Sequence, residues 1–223
     1  MKQHLACSTL AVALVLTACD PTTTAPPLRP SFDVGGGQGL NLHPGAFGES
    51  SLGAWRSHEG LPDAKGNADF ALYLQKLTAT STNAAAFAGI TGVEGLLMSE
   101  LDLSWLRRSN DGWCGAGAPR WNVGVDGASG NHYTIFLGCA HADRSGTAPD
   151  GWTSDAFSPS VIAGQLTSLL GFSAAESADI VAGTVTSLAI VFDEGTDVGP
   201  GFVFLDNITV NAKTWTSPHD NGT

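Results

Sequence analysis

Residues 184–210 read TVTSLAIVF-DEGTDVGPG-FVFLDNITV, from Thr184 to Val210. Two apolar runs, Leu188 to Phe192 and Phe202 to Val210, flank an acidic, glycine-rich loop. Asp193, Glu194 and Asp197 supply its charge, and Gly195, Gly199, Pro200 and Gly201 its turn chemistry. Runs that are apolar on both faces suit central strands covered on each side.

Working outward, the remaining signals are also short strands broken by turn residues. Leu52 to His58 is a weak first strand. Asp69 to Leu77 alternates, with Phe70, Leu72 and Leu74 on one face and Ala71, Tyr73 and Gln75 on the other. Ala84 to Val93 is glycine-broken. Glu100 to Arg107 sends Leu101, Leu103 and Trp105 inward and Glu100, Asp102 and Ser104 outward. Arg120 to Asp126 and His132 to Cys139 flank the turn DGASGN, which sets Asp126 opposite Asn131. Gly151 to Phe157 follows. Ser173-Ala174-Ala175-Glu176 has capping-box spacing, so a short helix is expected there. Val161 to Leu170 reads as a helical turn or a loop. The expected fold is all-β: a jelly-roll-like sandwich of about eight antiparallel strands with one or two short helices.

The amino terminus has a positive Lys2 and an apolar run from Leu5 to Leu16, too short to span a bilayer. It ends in Leu16-Thr17-Ala18-Cys19, which resembles the bacterial lipobox. That resemblance implies a signal peptide over 1–18, acylation of Cys19 (thioether lipid and palmitate-type amide), and a lipid anchor on the extracytoplasmic face of a bacterial membrane. Two or more acyl chains make such anchoring stable. Residues 19–48, rich in Pro, Thr and Gly, read as a flexible tether. The domain is expected over 49–215, with a disordered tail over 216–223.

The chain carries ten basic and 21 acidic residues. Lys2 leaves with the signal, so nine basic residues remain against 21 acidic, a net charge of −12. That opposes nucleic acid and anionic lipid as direct ligands. Nothing points to an assembly, and a monomer is expected.

Cys114 and Cys139 are the thiols left in the domain, and an oxidising compartment makes a disulfide the default. The hairpin register places Cys139 opposite residue 118, so Gly115-Ala116-Gly117 must fold Cys114 back.

The ending Phe202 to Val210 resembles the last strand of galactose-binding-like jelly rolls and carbohydrate-binding modules, and Phe70 to Leu74 is similar to an early strand of theirs. The resemblance implies a non-catalytic domain that binds polysaccharide through aromatic side chains. It also implies a late-strand aspartate that helps hold structural calcium. Asp206 is in alternating phase with Phe204, Ile208 and Val210, so its carboxylate needs a cation or several hydrogen bonds. Two readings stand: a bulge that turns it toward backbone N–H groups, or calcium with Asp193 and its loop neighbours as oxygen donors. Otherwise the loop acids read as solvated.

Among the aromatics, Trp105 and Trp121 alternate with aliphatics and belong to the core. Trp113 and Trp152 follow polar loop residues and are the ligand-stacking candidates.

One segment bears on catalysis. Glu100-Leu101-Asp102-Leu103-Ser104 resembles the Glu-x-Asp-x-Glu strand of laminarinase-like retaining glycosidases. That resemblance implies Glu100 and Asp102 as a carboxylate pair, with Ser104 where the acid/base Glu would stand. A serine cannot replace a tuned proton donor. Gly-x-Ser-x-Gly, His-Glu-x-x-His and phosphate-loop motifs do not occur. A third reading is a structural envelope lipoprotein.

Overall fold

The computed structural model describes residues 39–63 and 68–221. The signal, Cys19 and most of the tether lie outside them. In chain order the strands are β1 (Asn41–Phe47), β2 (Ser51–Arg56), β3 (Ala71–Lys76), β4 (Ala85–Thr91), β5 (Leu103–Arg108), β6 (Arg120–Asp126) and β7 (His132–Gly138). After β8 (Trp152–Phe157) come two helices, α1 (Pro159–Ser168) and α2 (Ala174–Val181). The chain ends with β9 (Thr184–Phe192), β10 (Phe202–Val210) and β11 (Lys213–Trp215).

The strands form two antiparallel sheets, ordered β1-β4-β9-β6-β7 and β2-β3-β10-β5-β8, with β11 paired to β10. The two runs of the opening stretch are the central strands, one in each sheet. Among the described residues eleven strands form where about eight were expected. Two strands were not expected: β1 falls at the end of the supposed tether, and β11 closes the expected domain just before the supposed tail. That tail is not free. Ser217 is buried, and its hydroxyl starts a 3₁₀ turn over Pro218–Asp220.

The core lies between the sheets. Trp105 on β5 stacks on Trp121 on β6 with ring centroids 5.0 Å apart, and Phe157 meets Trp105 edge-on. Leu101, Leu103, Val123, Val125, Ile135 and Leu137 fill in around them, as the alternation implied. Ser173 and Glu176 close the expected capping box of α2. The open case at Val161–Leu170 is resolved as α1, with Ser158 as N-cap and Pro159 in its first turn, where a missing N–H costs nothing.

Simple alternation fails in β10. Its pairing with β5 slips by one residue between Asp206 and Thr209, and Asn207 takes φ 44°. Val203 and Leu205 face the core before the bulge, Ile208 and Val210 after it. Phe204 and Asp206 therefore face outward, out of phase with Ile208 and Val210. The bulge expected at Asp206 is present.

Cys114 and Cys139 form the expected disulfide, with Cα atoms 5.5 Å apart. The register differs by one residue: Asp126 pairs with His132, and the Cys139 N–H donates to the Pro119 carbonyl at 2.8 Å. Asp155, buried on β8, lies beside this disulfide. It accepts from Arg107 Nε and Arg144 Nε, each at 2.8 Å, and from Trp105 Nε1 at 3.1 Å.

Candidate functional site on the outer face of a sheet

The pairings β2–β3, β3–β10 and β5–β8 set Ala54 beside Tyr73, Tyr73 beside Phe204, and Arg108 beside Trp152. Arg108 closes the line: its guanidinium carbon sits 3.6 Å from the centroid of the Phe204 ring. A row Ala54–Tyr73–Phe204–Arg108–Trp152 thus crosses the sheet on its outer face. Strands lie about 4.8 Å apart, so Tyr73 to Trp152 spans roughly 14 Å. Phe202 thickens the apolar band, with its ring 5.8 Å from Tyr73 and 5.9 Å from Phe204.

The polar groups on this face are held in place. Arg108 donates through Nε and Nη2 to Asp111, and through Nη1 to the Glu59 side chain and carbonyl. These bonds hold the guanidinium over the Phe204 ring, where it forms part of the platform. The Tyr73 hydroxyl donates to Gln75 Oε1 at 2.6 Å. Burial pushes the Tyr73 phenol up from its ordinary value, Arg56 opposes the shift, and Glu59 adds to it. The phenol therefore stays protonated at neutral pH. Beside the row lies an open pocket of about 230 Å³, lined by Arg56, Glu59, Tyr73 and Phe204.

Of the two tryptophans singled out from the sequence, Trp152 belongs to this row and is half-buried. Trp113 does not. Its ring closes against Gly199, where a Cβ would collide, its Nε1–H donates to Glu194, and its backbone N–H donates to the Phe202 carbonyl. It seals one end of the sandwich.

The acidic loop is tied down, against the expectation of a solvated segment. Asp193 forms a two-pronged ion pair with Arg120 at 2.6 and 2.7 Å. Glu194 also accepts from the Gly117 N–H, and Asp197 accepts from the N–H and hydroxyl of Thr80. Lys76 is buried and donates to the carbonyls of Thr80, Thr82 and Asp193.

Asp193 and Asp206 have separate partner sets. Asp206 is 1% exposed and accepts from the N–H groups of Leu61 at 2.7 Å and Asn207 at 2.6 Å. Burial pushes its carboxyl up to about 6, the two N–H donors oppose the shift, and the charges of Asp63 and Asp69 add to it. Among the described residues, one set of three metal-type ligands lies close together: Cys114, Cys139 and Asp155. Its two sulfurs are bonded to each other, and its carboxylate is held by two arginines.

Glu100 and Asp102 do not share a strand face. Glu100 ends a 3₁₀ turn over Met98–Glu100, and β5 starts only at Leu103. Asp102 lies between, its backbone paired with Asn211.

Sequence reasoning missed Tyr73, Phe204, Arg108, Arg56 and Glu59. A signal was present: Tyr73 alternates away from Leu72 and Leu74, and Phe202 and Phe204 are two residues apart on one strand. Reading β10 as covered on both sides hid it.

The architecture defines an all-β sandwich of two antiparallel sheets. No protein-family model and no curated sequence matches the chain. Among solved structures it is similar to a β-1,2-glucanase from Parabacteroides distasonis, at 14% identity and a TM-score of 0.39 over 76% of this chain. The match spans only 22% of the glucanase chain. It is also similar to the family 30 carbohydrate-binding module of a cellulosomal cellulase from Clostridium thermocellum, at 15% identity and a TM-score of 0.38. That match covers 75% of this chain and 95% of the module. At these values neither neighbour carries a function over.

Proposed function

We propose that this protein is a lipid-anchored, extracytoplasmic β-sandwich that binds carbohydrate and does not turn it over. The observation that carries the reading is the row Tyr73–Phe204–Arg108–Trp152 with its adjoining pocket. Flat apolar groups next to fixed polar ones suit a pyranose, which has an apolar face and a polar rim. Glu100 and Asp102 leave from a turn and a connection, which supports binding over hydrolysis. The anchor rests on Leu16–Cys19, outside the described residues. The Cys114–Cys139 disulfide suits the oxidising compartment that an anchor implies.

The test is glycan binding by the purified full-length protein, with turnover followed in the same samples. Tyr73→Ala and Trp152→Ala are expected to weaken binding at least about tenfold, 1.4 kcal/mol, with no product formed. Hydrolysis abolished by Glu100→Gln or Asp102→Asn would replace this reading with a glycosidase. Neither binding nor turnover would leave a structural lipoprotein. For the anchor, Cys19→Ser should abolish palmitate labelling and release the protein from membranes. An unlabelled wild-type protein in the soluble fraction would overturn it.

A further inference from the structure

The pocket beside Tyr73 contains an arginine without a carboxylate. Every other arginine among the described residues is ion-paired: Arg107 and Arg144 with Asp155, Arg108 with Glu59 and Asp111, and Arg120 with Asp193. Arg56 has no such partner among them, and its one side-chain contact of this kind is with the Tyr73 ring, 5.4 Å from guanidinium carbon to centroid. The chain has 21 acidic and ten basic residues, so an uncommitted arginine is the exception that needs a reason.

Strand register explains where it lies. Arg56 pairs with Ala71 and Ala54 with Tyr73, so the Arg56 side chain starts one outward position beyond Tyr73 and leans back over it. The pocket's other charge is spoken for, because Glu59 Oε2 accepts from Arg108 at 2.7 Å. The Arg56 fork is therefore the free charge on this wall. A guanidinium fork matches the two oxygens of a carboxylate or sulfate, and it is less strongly hydrated than an ammonium. The acid surplus repels polyanions from the surface at large. A site for an anionic sugar on such a protein needs a cation that no carboxylate is paired with. Arg56 has no ion-pair partner among the described residues, and the Glu59 carboxylate that shares its pocket is held by Arg108.

We propose that the pocket takes a sugar bearing an oxyanion, a uronate carboxylate or a sulfate ester, with its ring on Tyr73 and its anion on Arg56. This rests on the carbohydrate-binding reading and names the ligand class within it.

The experiment titrates the full-length protein in detergent with oligogalacturonates, sulfated galactan oligosaccharides and neutral cello-oligosaccharides of equal length. At least one anionic series should bind more tightly than the neutral one. Arg56→Gln, at an exposed position, should erase about fivefold or more of that preference, in keeping with a partly exposed ion pair. Arg56→Lys should recover only part of it, because a point charge cannot form the paired bonds. Which anionic series responds assigns carboxylate or sulfate. Equal binding of neutral and anionic series, unchanged in Arg56→Gln but lost in Tyr73→Ala, overturns the proposal and leaves carbohydrate binding standing. No binding of any series overturns both.

Discussion

The carboxamide of Asn221 stands beside Leu42 as a neighbouring strand would. It accepts from the Leu42 N–H at 2.8 Å and donates to the Leu42 carbonyl at 2.9 Å, across 179 residues of chain. The same oxygen accepts from the buried Trp215 indole at 3.0 Å. One side chain thus satisfies three groups that pack against the core. Asn221→Ala leaves them without partners, and an unpaired buried group costs about 1–3 kcal/mol. A net loss of about 2 kcal/mol is expected, seen as a fall in Tm of roughly 4–8 °C. Denaturant melts of the variant check this, and an unchanged midpoint would show that the clasp contributes nothing.

The disulfide closes a loop with a sequence separation of 25, for which the chain-entropy estimate gives about 3–4 kcal/mol. Reduction should lower stability by that order. It should also loosen Trp113, whose neighbour Cys114 would lose its covalent tie to Cys139. Alkylation of the unreduced protein should leave both thiols unlabelled, and tryptophan fluorescence should change on reduction before global unfolding. Free, readily labelled thiols in the unreduced protein would refute the pairing.

Legibility followed chemistry. The strands with clean alternation, Arg120–Asp126 above all, were readable to the residue, because period-two burial is local information. So was the Ser173 capping box. What was hidden depended on distant partners. β1, with Pro44 and Gly45 in its sequence, looks like linker until β4 pairs with it and Asn221 clasps it. The phase of β10 depends on a bulge at Asn207 that no alternation count reveals. The candidate site has the same character. Tyr73, Phe204, Arg108 and Trp152 sit on four strands and meet only through sheet order, so single-strand patterns could mark Tyr73, Phe204 and Trp152 one by one but could not bring them together.

Asp155 was also invisible in the sequence, and its environment makes an asymmetric prediction. Arg107 is largely buried while Arg144 is 41% exposed, and both donate to Asp155. Removing one partner of a buried pair leaves the other charge uncompensated, at about 3–5 kcal/mol. Asp155→Ala strands the largely buried Arg107 and should destabilise by that order, whereas Arg107→Ala leaves Asp155 its pair with Arg144 and should cost less than that, but more than Arg144→Ala. Arg144→Ala should cost at most about 1 kcal/mol, since water can replace an exposed guanidinium. Equal effects of the two arginine variants in chemical denaturation would contradict this ranking.

Asp206 gives a pH dependence whose sign can be worked out. Its folded pKa of about 6 lies above the ordinary 3.8, so the folded state binds the proton more tightly. Stability from this group is therefore gained as pH falls from 6 toward 4, and is absent at pH 7. The full shift corresponds to at most about 3 kcal/mol. Asp143, Glu176, Asp179, Asp197 and Asp220 are all shifted the other way. Their contributions are present above the ordinary carboxylate range and start to fall away as pH drops through it, from about 5 downward, but they are common to wild type and an Asp206 variant and cancel in the difference between them. Asp206→Asn keeps one acceptor and removes the titration, so the wild type minus variant difference should rise as pH drops from 6 toward 4. Asp206→Ala should instead lose about 1–3 kcal/mol at every pH, because the Leu61 and Asn207 N–H groups are left unpaired. Parallel wild-type and Asn curves would exclude a raised carboxyl. Calcium is the decisive addition at pH 7. A bound cation would favour the ionised form and reverse the slope, raising the wild-type Tm and leaving the Asn variant unmoved. No shift in either protein would assign Asp206 to the two backbone donors alone.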